Sequence, residues 1–179
     1  LDQLTPGNWV EIGTSRNGDD GSTKTIAEWA GRYGKHLWTV DMDPKNCEFV
    51  RNLNLDNVEI VNGTGEKFLQ DFPSHTSYIS FLYLDNFDWD WHPEQTEGFV
   101  RHQQERYTEL GLQMNNVNSQ RSHLRQAELA LRALAPISLV VCDDTWYNKW
   151  WGHYSGKCGA VVPYLLNNGY EVLYTCERS

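Results

Sequence analysis

The chain has 179 residues, enough for one domain with a sizeable core, and its 40% hydrophobic and 22% charged residues are ordinary for a globular protein. A formal net charge of −9 argues against a broad electrostatic grip on nucleic acid. With no apolar run long enough to span a bilayer, no visible signal peptide, and four scattered cysteines (Cys47, Cys142, Cys158, Cys176) in no metal-binding spacing, the expectation is a cytoplasmic protein, off the membrane and without disulfides.

Apolar runs alternate between strand-like and helix-like patterns along the chain. A first strand covers 10–12. The glycine-rich loop Gly13-Thr-Ser-Arg-Asn-Gly18-Asp-Asp-Gly21 follows it. Then comes a helix in which Ile26, Trp29, Ala30 and Tyr33 form one stripe at i, i+3, i+4, i+7, capped by Ser22 or Thr23 and ended by Gly34. A second strand over 37–40 ends at Asp41, and a short helix runs over 44–53. A third strand over 58–61 leads through Gly63-Thr64-Gly65 into a helix over 66–72. The fourth strand, 78–84, ends at Asp85.

The segment 86–122 is too long for an ordinary connection and is read as an insertion, helical around 96–112. Leu124, Ala127, Leu131 and Leu134 then make a core-facing helical stripe. A fifth strand over 137–142 runs into Asp143-Asp144, a helix covers 159–167, and a sixth strand covers 171–174. Strands alternating with helices predict a single α/β domain over 1–179: a Rossmann-like, doubly wound, mainly parallel sheet with helices on both faces. The 86–122 insertion would form a lid over the active edge.

Ligands bind such sheets at the carboxyl ends of the strands. Here those ends carry Gly13, Asp41, Gly63, Asp85, Asp143 and Asp144. Asp41 closes the second strand, where an acid accepts hydrogen bonds from ribose hydroxyls of NAD, FAD or S-adenosylmethionine. The loop does not match GxGxxG, and Asp19 and Asp20 are poor neighbours for a pyrophosphate. It is not a P-loop either, because Gly21 is followed by Ser-Thr-Lys in the wrong order.

"VEIGT…GST", "WTVDMDP", "VNGTGEKF", "LYLDNFD" and "LVVCDDTW", in this order over nearly the whole chain, resemble the class I S-adenosylmethionine-dependent methyltransferases. The resemblance implies that Glu11 and the loop (Gly13, Thr14, Ser15, Gly21, Ser22) approach the methionine part of the cofactor. Asp41, with Met42, would bind the ribose. Gly63, Thr64, Gly65 and Glu66 would border the adenine, and Asp85 would lie near the transferred methyl. The chain departs from the family in two places. The loop is long, which leaves Gly18 or Gly21 for the second-glycine role. The closing antiparallel strand is not found, so it is absent, trimmed or supplied by another chain. An open edge of that kind allows a homodimer.

Methyl transfer is an in-line displacement that needs aligned reactants and a way to handle the acceptor's proton. Three carboxylates at neighbouring strand ends (Asp85, Asp143 and Asp144) would repel unless a cation sat among them, and hard oxygen donors suit Mg²⁺. The arrangement resembles the metal-dependent O-methyltransferases such as catechol O-methyltransferase, but the lysine base three residues after the first metal acid is absent; Asp88 stands there. The other reading is that Asp85 orients the donor and Asp143 or Asp144 caps the next element. Asp85 and His153 are the catalytic candidates, His92 a second base, and Lys149 and Lys157 weaker ones. Phe87, Trp89, Trp91, Trp146, Tyr147, Trp150, Trp151 and Tyr154 gather after the fourth and fifth strands, to pack the insertion or to stack on an acceptor.

The expected function is therefore S-adenosyl-L-methionine-dependent transfer of methyl to a small-molecule hydroxyl, of sugar or natural-product type, with Mg²⁺ as an optional cofactor. The alternatives are an NAD-dependent oxidoreductase and a non-catalytic cofactor-binding module. The Asn/Asp-Pro-Pro-aromatic motif of nucleic-acid methylation is missing from "LDNFDW".

Overall fold

The structure is a computed structural model that describes residues 1–16, 21–73, 77–90 and 99–178. The chain divides into two compact units: Leu1–Asn86 with Glu128–Val141, and Phe87–Ala127 with Cys142–Ser179.

The first unit contains β1 (Asn8–Ile12), α1 (Ser22–Arg32), β2 (Leu37–Asp41), α2 (Pro44–Arg51), β3 (Val58–Asn62), α3 (Gly65–Asp71), β4 (Ile79–Leu84) and β5 (Leu134–Cys142), the last of which runs out of the unit at its end. These strands form one sheet in the order β3-β2-β1-β4-β5. β1 pairs in parallel with both β2 and β4, and β2 with β3. The Ile79 N–H donates to the Ala133 carbonyl at 2.8 Å, so β4 and β5 begin side by side and run the same way. The fold is α/β with a mainly parallel sheet flanked by helices, as in Rossmann-like proteins. Strand order reverses at β1, where such sheets open a crevice for ligands.

From Trp9 to Ile12 every residue of β1 is buried, so both of its faces are covered, as parallel sheets require. Trp9, Leu37 and Phe81 on one face receive Ile26, Ala27 and Ala30 of α1, and the Trp9 and Phe81 rings stack 4.7 Å apart. Such a pair contributes about 1 kcal/mol beyond its area burial. Asp43 caps α2 by accepting from the Lys45 N–H, and Thr64 caps α3 by accepting from the Lys67 N–H.

The α1 stripe differs from expectation. Trp29 and Tyr33 are exposed, and the buried face is Thr23, Ile26, Ala27 and Ala30. The helix is rotated because the Thr23 hydroxyl is anchored in the interior on Glu11.

The second unit holds α4 (Phe99–Glu109), most of α5 (Asn116–Ala130), β6 (Thr145–Asn148), β7 (His153–Gly156), α6 (Val161–Asn167) and β8 (Cys176–Arg178). Its small sheet has the order β7-β6-β8, with β6–β7 an antiparallel hairpin and β6–β8 parallel. The expected sixth strand over 171–174 is not one: Val172, Leu173 and Tyr174 are exposed, and the strand starts at Cys176 in the second sheet. The expected α5 stripe also shifts. Ser119, His123, Gln126, Ala127 and Ala130 are buried, Leu124 and Leu131 are half-buried, and Leu134 opens β5. All four cysteines are free. Among the described residues no helix is long and apolar enough to cross a membrane.

Candidate functional site

The loop after β1 is wired through one buried acid. Glu11 is inaccessible, and its carboxylate accepts from Ser22 Oγ at 2.5 Å, Thr23 Oγ1 at 2.7 Å and Thr39 Oγ1 at 2.6 Å. Burial pushes its pKa up to about 7, against the pull of those hydroxyls. Glu11 thus holds the loop and the start of α1 in place, and its oxygens are committed to protein donors. Ser15 and Thr23 bond reciprocally: the Ser15 N–H donates to Thr23 Oγ1 at 2.8 Å, and the Thr23 N–H to Ser15 Oγ at 3.0 Å.

Two glycines make this turn possible. Gly13 has φ +99°, and a Cβ there would lie 2.6 Å from the backbone of Asp85 and Asn86. A Cβ on Gly21 would lie 1.9 Å from Ser15 Oγ, so Gly21 is a position of close approach. Gly18, Asp19 and Asp20 lie outside the described residues, as do Trp91 and His92.

Asp41 stands half-buried at the end of β2. Its Oδ2 accepts from the Thr14 N–H at 3.1 Å and Asn46 Nδ2 at 3.3 Å, and its Oδ1 from the Asp43 N–H at 2.7 Å. Burial raises its pKa, partly offset by these donors. A carboxylate offers about four acceptor positions. Three are used here, so one ligand hydroxyl finds a free place, and a grip on both hydroxyls of a ribose requires Thr14 or Asn46 to yield. Met42 is half-buried beside it. The Gly63 N–H donates to the Asp41 carbonyl at 2.9 Å, and nothing lies within 4 Å of a Cβ built on Gly63. Thr64, Gly65 and Glu66 then open α3. The Asp85 N–H donates to the Ile12 carbonyl at 2.8 Å, which fixes Asp85 at the end of β4. In the first unit, contacts join Glu11 to Ser22, Thr14 to Asp41 and Asp41 to Gly63, and Gly13 lies against the backbone of Asp85.

Asp143 and Asp144 open the hairpin half of the second unit, directly after β5. Asp144 has φ +45°, a left-handed conformation that Asp tolerates better than most residues. Thr145 Oγ1 donates to the Asp143 carbonyl at 2.8 Å and accepts from the Cys158 N–H at 3.0 Å, tying the turn to the chain after β7. That chain supplies Lys157. Its ammonium lies 3.0 Å from Asp144 Oδ2 and 4.0 Å from Asp143 Oδ2, with its side chain only 4% exposed. Hard oxygens such as these suit Mg²⁺, but this pair already holds a cation.

His153 is in a different place from the expectation. It pairs with Asn148 at the turn end of the β6–β7 hairpin, whereas Gly156 pairs with Thr145 beside the acids. Three residues of strand, about 10 Å, separate the two ends. His153 is exposed, its Nδ1 lies 3.3 Å from the Trp151 carbonyl, and its ring packs edge-on against Trp151. The residue that the hairpin returns to Asp144 is Lys157. The sequence reading missed this because it took 145–157 as loop. The "TWYN" and "HYSG" runs around a Gly-containing turn were the available signal.

The aromatics divide. Trp150 and Trp151 are 77% and 75% exposed at the hairpin turn. Tyr147 and Tyr154 face each other at 5.2 Å, and Trp89 packs edge-on against Trp146. His123 was not singled out from sequence. It is fully buried on α5, with Nδ1 2.7 Å from the Ser119 carbonyl and no partner for Nε2 among the described residues. No family model, curated protein or solved structure matches the chain.

Proposed function

We propose that this chain is an S-adenosylmethionine-dependent methyltransferase that acts on a hydroxyl of a small molecule of sugar or natural-product type. The observation that carries the reading is the edge formed by Thr14, Asp41 and Gly63. A fixed acid with one free acceptor position stands at the carboxyl end of a parallel sheet, its own carbonyl held by the Gly63 N–H. Asp41 would receive a ribose hydroxyl, and the turn from Gly63 to Glu66 would border the adenine. Gly13 lets the loop lie against the end of β4, so that Asp85 would stand near the methyl. The bound cofactor supplies an electrophilic methyl on a sulfonium; the protein's part is to align the acceptor and exclude water.

The test is calorimetric titration of S-adenosylhomocysteine, and of NAD, into wild type and Asp41→Ala. Micromolar binding of S-adenosylhomocysteine that is lost in Asp41→Ala is expected. Binding of NAD alone moves the reading to an oxidoreductase, and binding of neither ends it.

A further inference from the structure

Around Asp144 the hairpin closes in a way that leaves no choice about which side chain stands there. The β6–β7 register pairs Thr145 with Gly156, so the next residue, Lys157, comes level with Asp144. The Lys157 N–H donates to the Asp144 carbonyl at 3.1 Å. The approach is so close that a Cβ on Gly156 would lie 1.9 Å from that carbonyl oxygen. A lysine anchored there by its own backbone, with 4% of its side chain exposed, cannot swing its ammonium into water without unpacking the unit.

We propose that Lys157 is the resident cation of the Asp143–Asp144 pair and a positioning residue of the site. Its ammonium takes the place that a divalent ion would fill. It leaves the trio at a net charge of −1 where two bare carboxylates would carry −2, and it halves the net charge that a metal would meet. Asp144, the nearer partner, is fixed by it. Asp143 stands 4.0 Å away and is held less closely. The exclusion of divalent ions does not rest on the methyltransferase reading.

Asp143 and Asp144 taken alone look like a metal site. Lys157 is what changes their chemistry, and it lies outside every motif of the resemblance. A lysine tethered thirteen residues downstream, brought back by a hairpin, does the work of an ion that would otherwise have to be taken from solution.

The experiment is a calorimetric titration of the full chain with Mn²⁺ alone, on wild type, Lys157→Met and Lys157→Gln, with S-adenosylhomocysteine titrated separately. Wild type is expected to bind Mn²⁺ no tighter than millimolar, and at least one folded lysine variant at least tenfold tighter. Micromolar Mn²⁺ binding by wild type overturns the proposal, whether or not the variants fold. So does the absence of a gain in every variant that folds. A merely structural lysine would lower the melting temperature without raising Mn²⁺ affinity. Loss of S-adenosylhomocysteine binding would strike the functional reading and leave this one standing.

Discussion

Lys157 and Asp144 are joined twice, by the Lys157 N–H donated to the Asp144 carbonyl at 3.1 Å and by the ammonium 3.0 Å from the Asp144 carboxylate. The two ends of this pair differ in burial, so their removal should differ in cost. Asp144→Asn removes the carboxylate that stands 3.0 Å from an enclosed ammonium, and about 2–3 kcal/mol of stability should be lost. Lys157→Met leaves a carboxylate that still reaches water and should cost about 1 kcal/mol. Urea denaturation of both variants checks the order, and equal losses would mean that Lys157 is not enclosed in solution.

Gly156 and Gly169 both have positive φ, +91° and +87°, but only Gly156 is crowded. A methyl on Gly156 meets the Asp144 carbonyl oxygen at 1.9 Å and the Trp146 ring at 2.6 Å, whereas nothing lies within 4 Å at Gly169. Gly169→Ala should therefore cost only the backbone strain, about 1 kcal/mol, and Gly156→Ala about 3 kcal/mol or more. The comparison separates strain from collision, because strain is nearly common to both. Similar melting temperatures for the two variants would contradict the close approach.

How much of this was legible in the sequence depends on which interaction decided each element. β1, β2 and β4 announce themselves as apolar runs, the last two ending at Asp41 and Asp85, because strands covered on both faces need continuous hydrophobicity. The loop glycines were legible for a similar reason, since Gly13 and Gly21 stand where backbone meets backbone or a side chain. What could not be read was set by long-range polar contacts. Thr23 turns α1 away from its Trp29–Tyr33 stripe by bonding Glu11. In α5, Ser119 Oγ donates to the Phe87 carbonyl and Gln120 Nε2 to the Gly156 carbonyl, so a polar face is drawn inward past Leu124. The hairpin has four-residue strands rich in aromatics and no clean alternation, and it passed for a loop.

Glu11 should make stability fall as pH rises. Its folded pKa is raised to about 7, against 4.5 for the free group, so between these values the folded state holds a proton that the unfolded state has released. The penalty is absent below pH 4.5, grows through the interval and is complete above pH 7, at about 3 kcal/mol. Glu11→Gln removes it, and the surrounding hydroxyls can rotate to suit an amide. Denaturant midpoints measured from pH 4.5 to 7.5 should rise with pH in the variant relative to wild type. Parallel profiles would show that Glu11 stays ionised throughout.

His123 works in the opposite sense over nearly the same range. The Ser119 carbonyl can only accept, so Nδ1 must carry the ring proton, and Nε2 is a buried lone pair. Protonating it would place a charge in the interior, and burial pushes its pKa down to about 4 from 6.5. The unfolded chain takes up a proton below pH 6.5 that the folded chain refuses until about pH 4, so stability is full above 6.5 and is lost as pH falls through that window, by about 3 kcal/mol. Between pH 4.5 and 6.5 the Glu11 and His123 contributions oppose each other, and the wild-type profile should be nearly flat there. His123→Asn keeps a donor for the Ser119 carbonyl and removes the titration. Its stability should then rise on acidification from pH 6.5 to 4.5, because the Glu11 contribution is left alone, while Glu11→Gln shows the mirror-image fall. A His123→Asn profile as flat as that of wild type would mean that neither the raised Glu11 pKa nor the lowered His123 pKa acts on stability in this range.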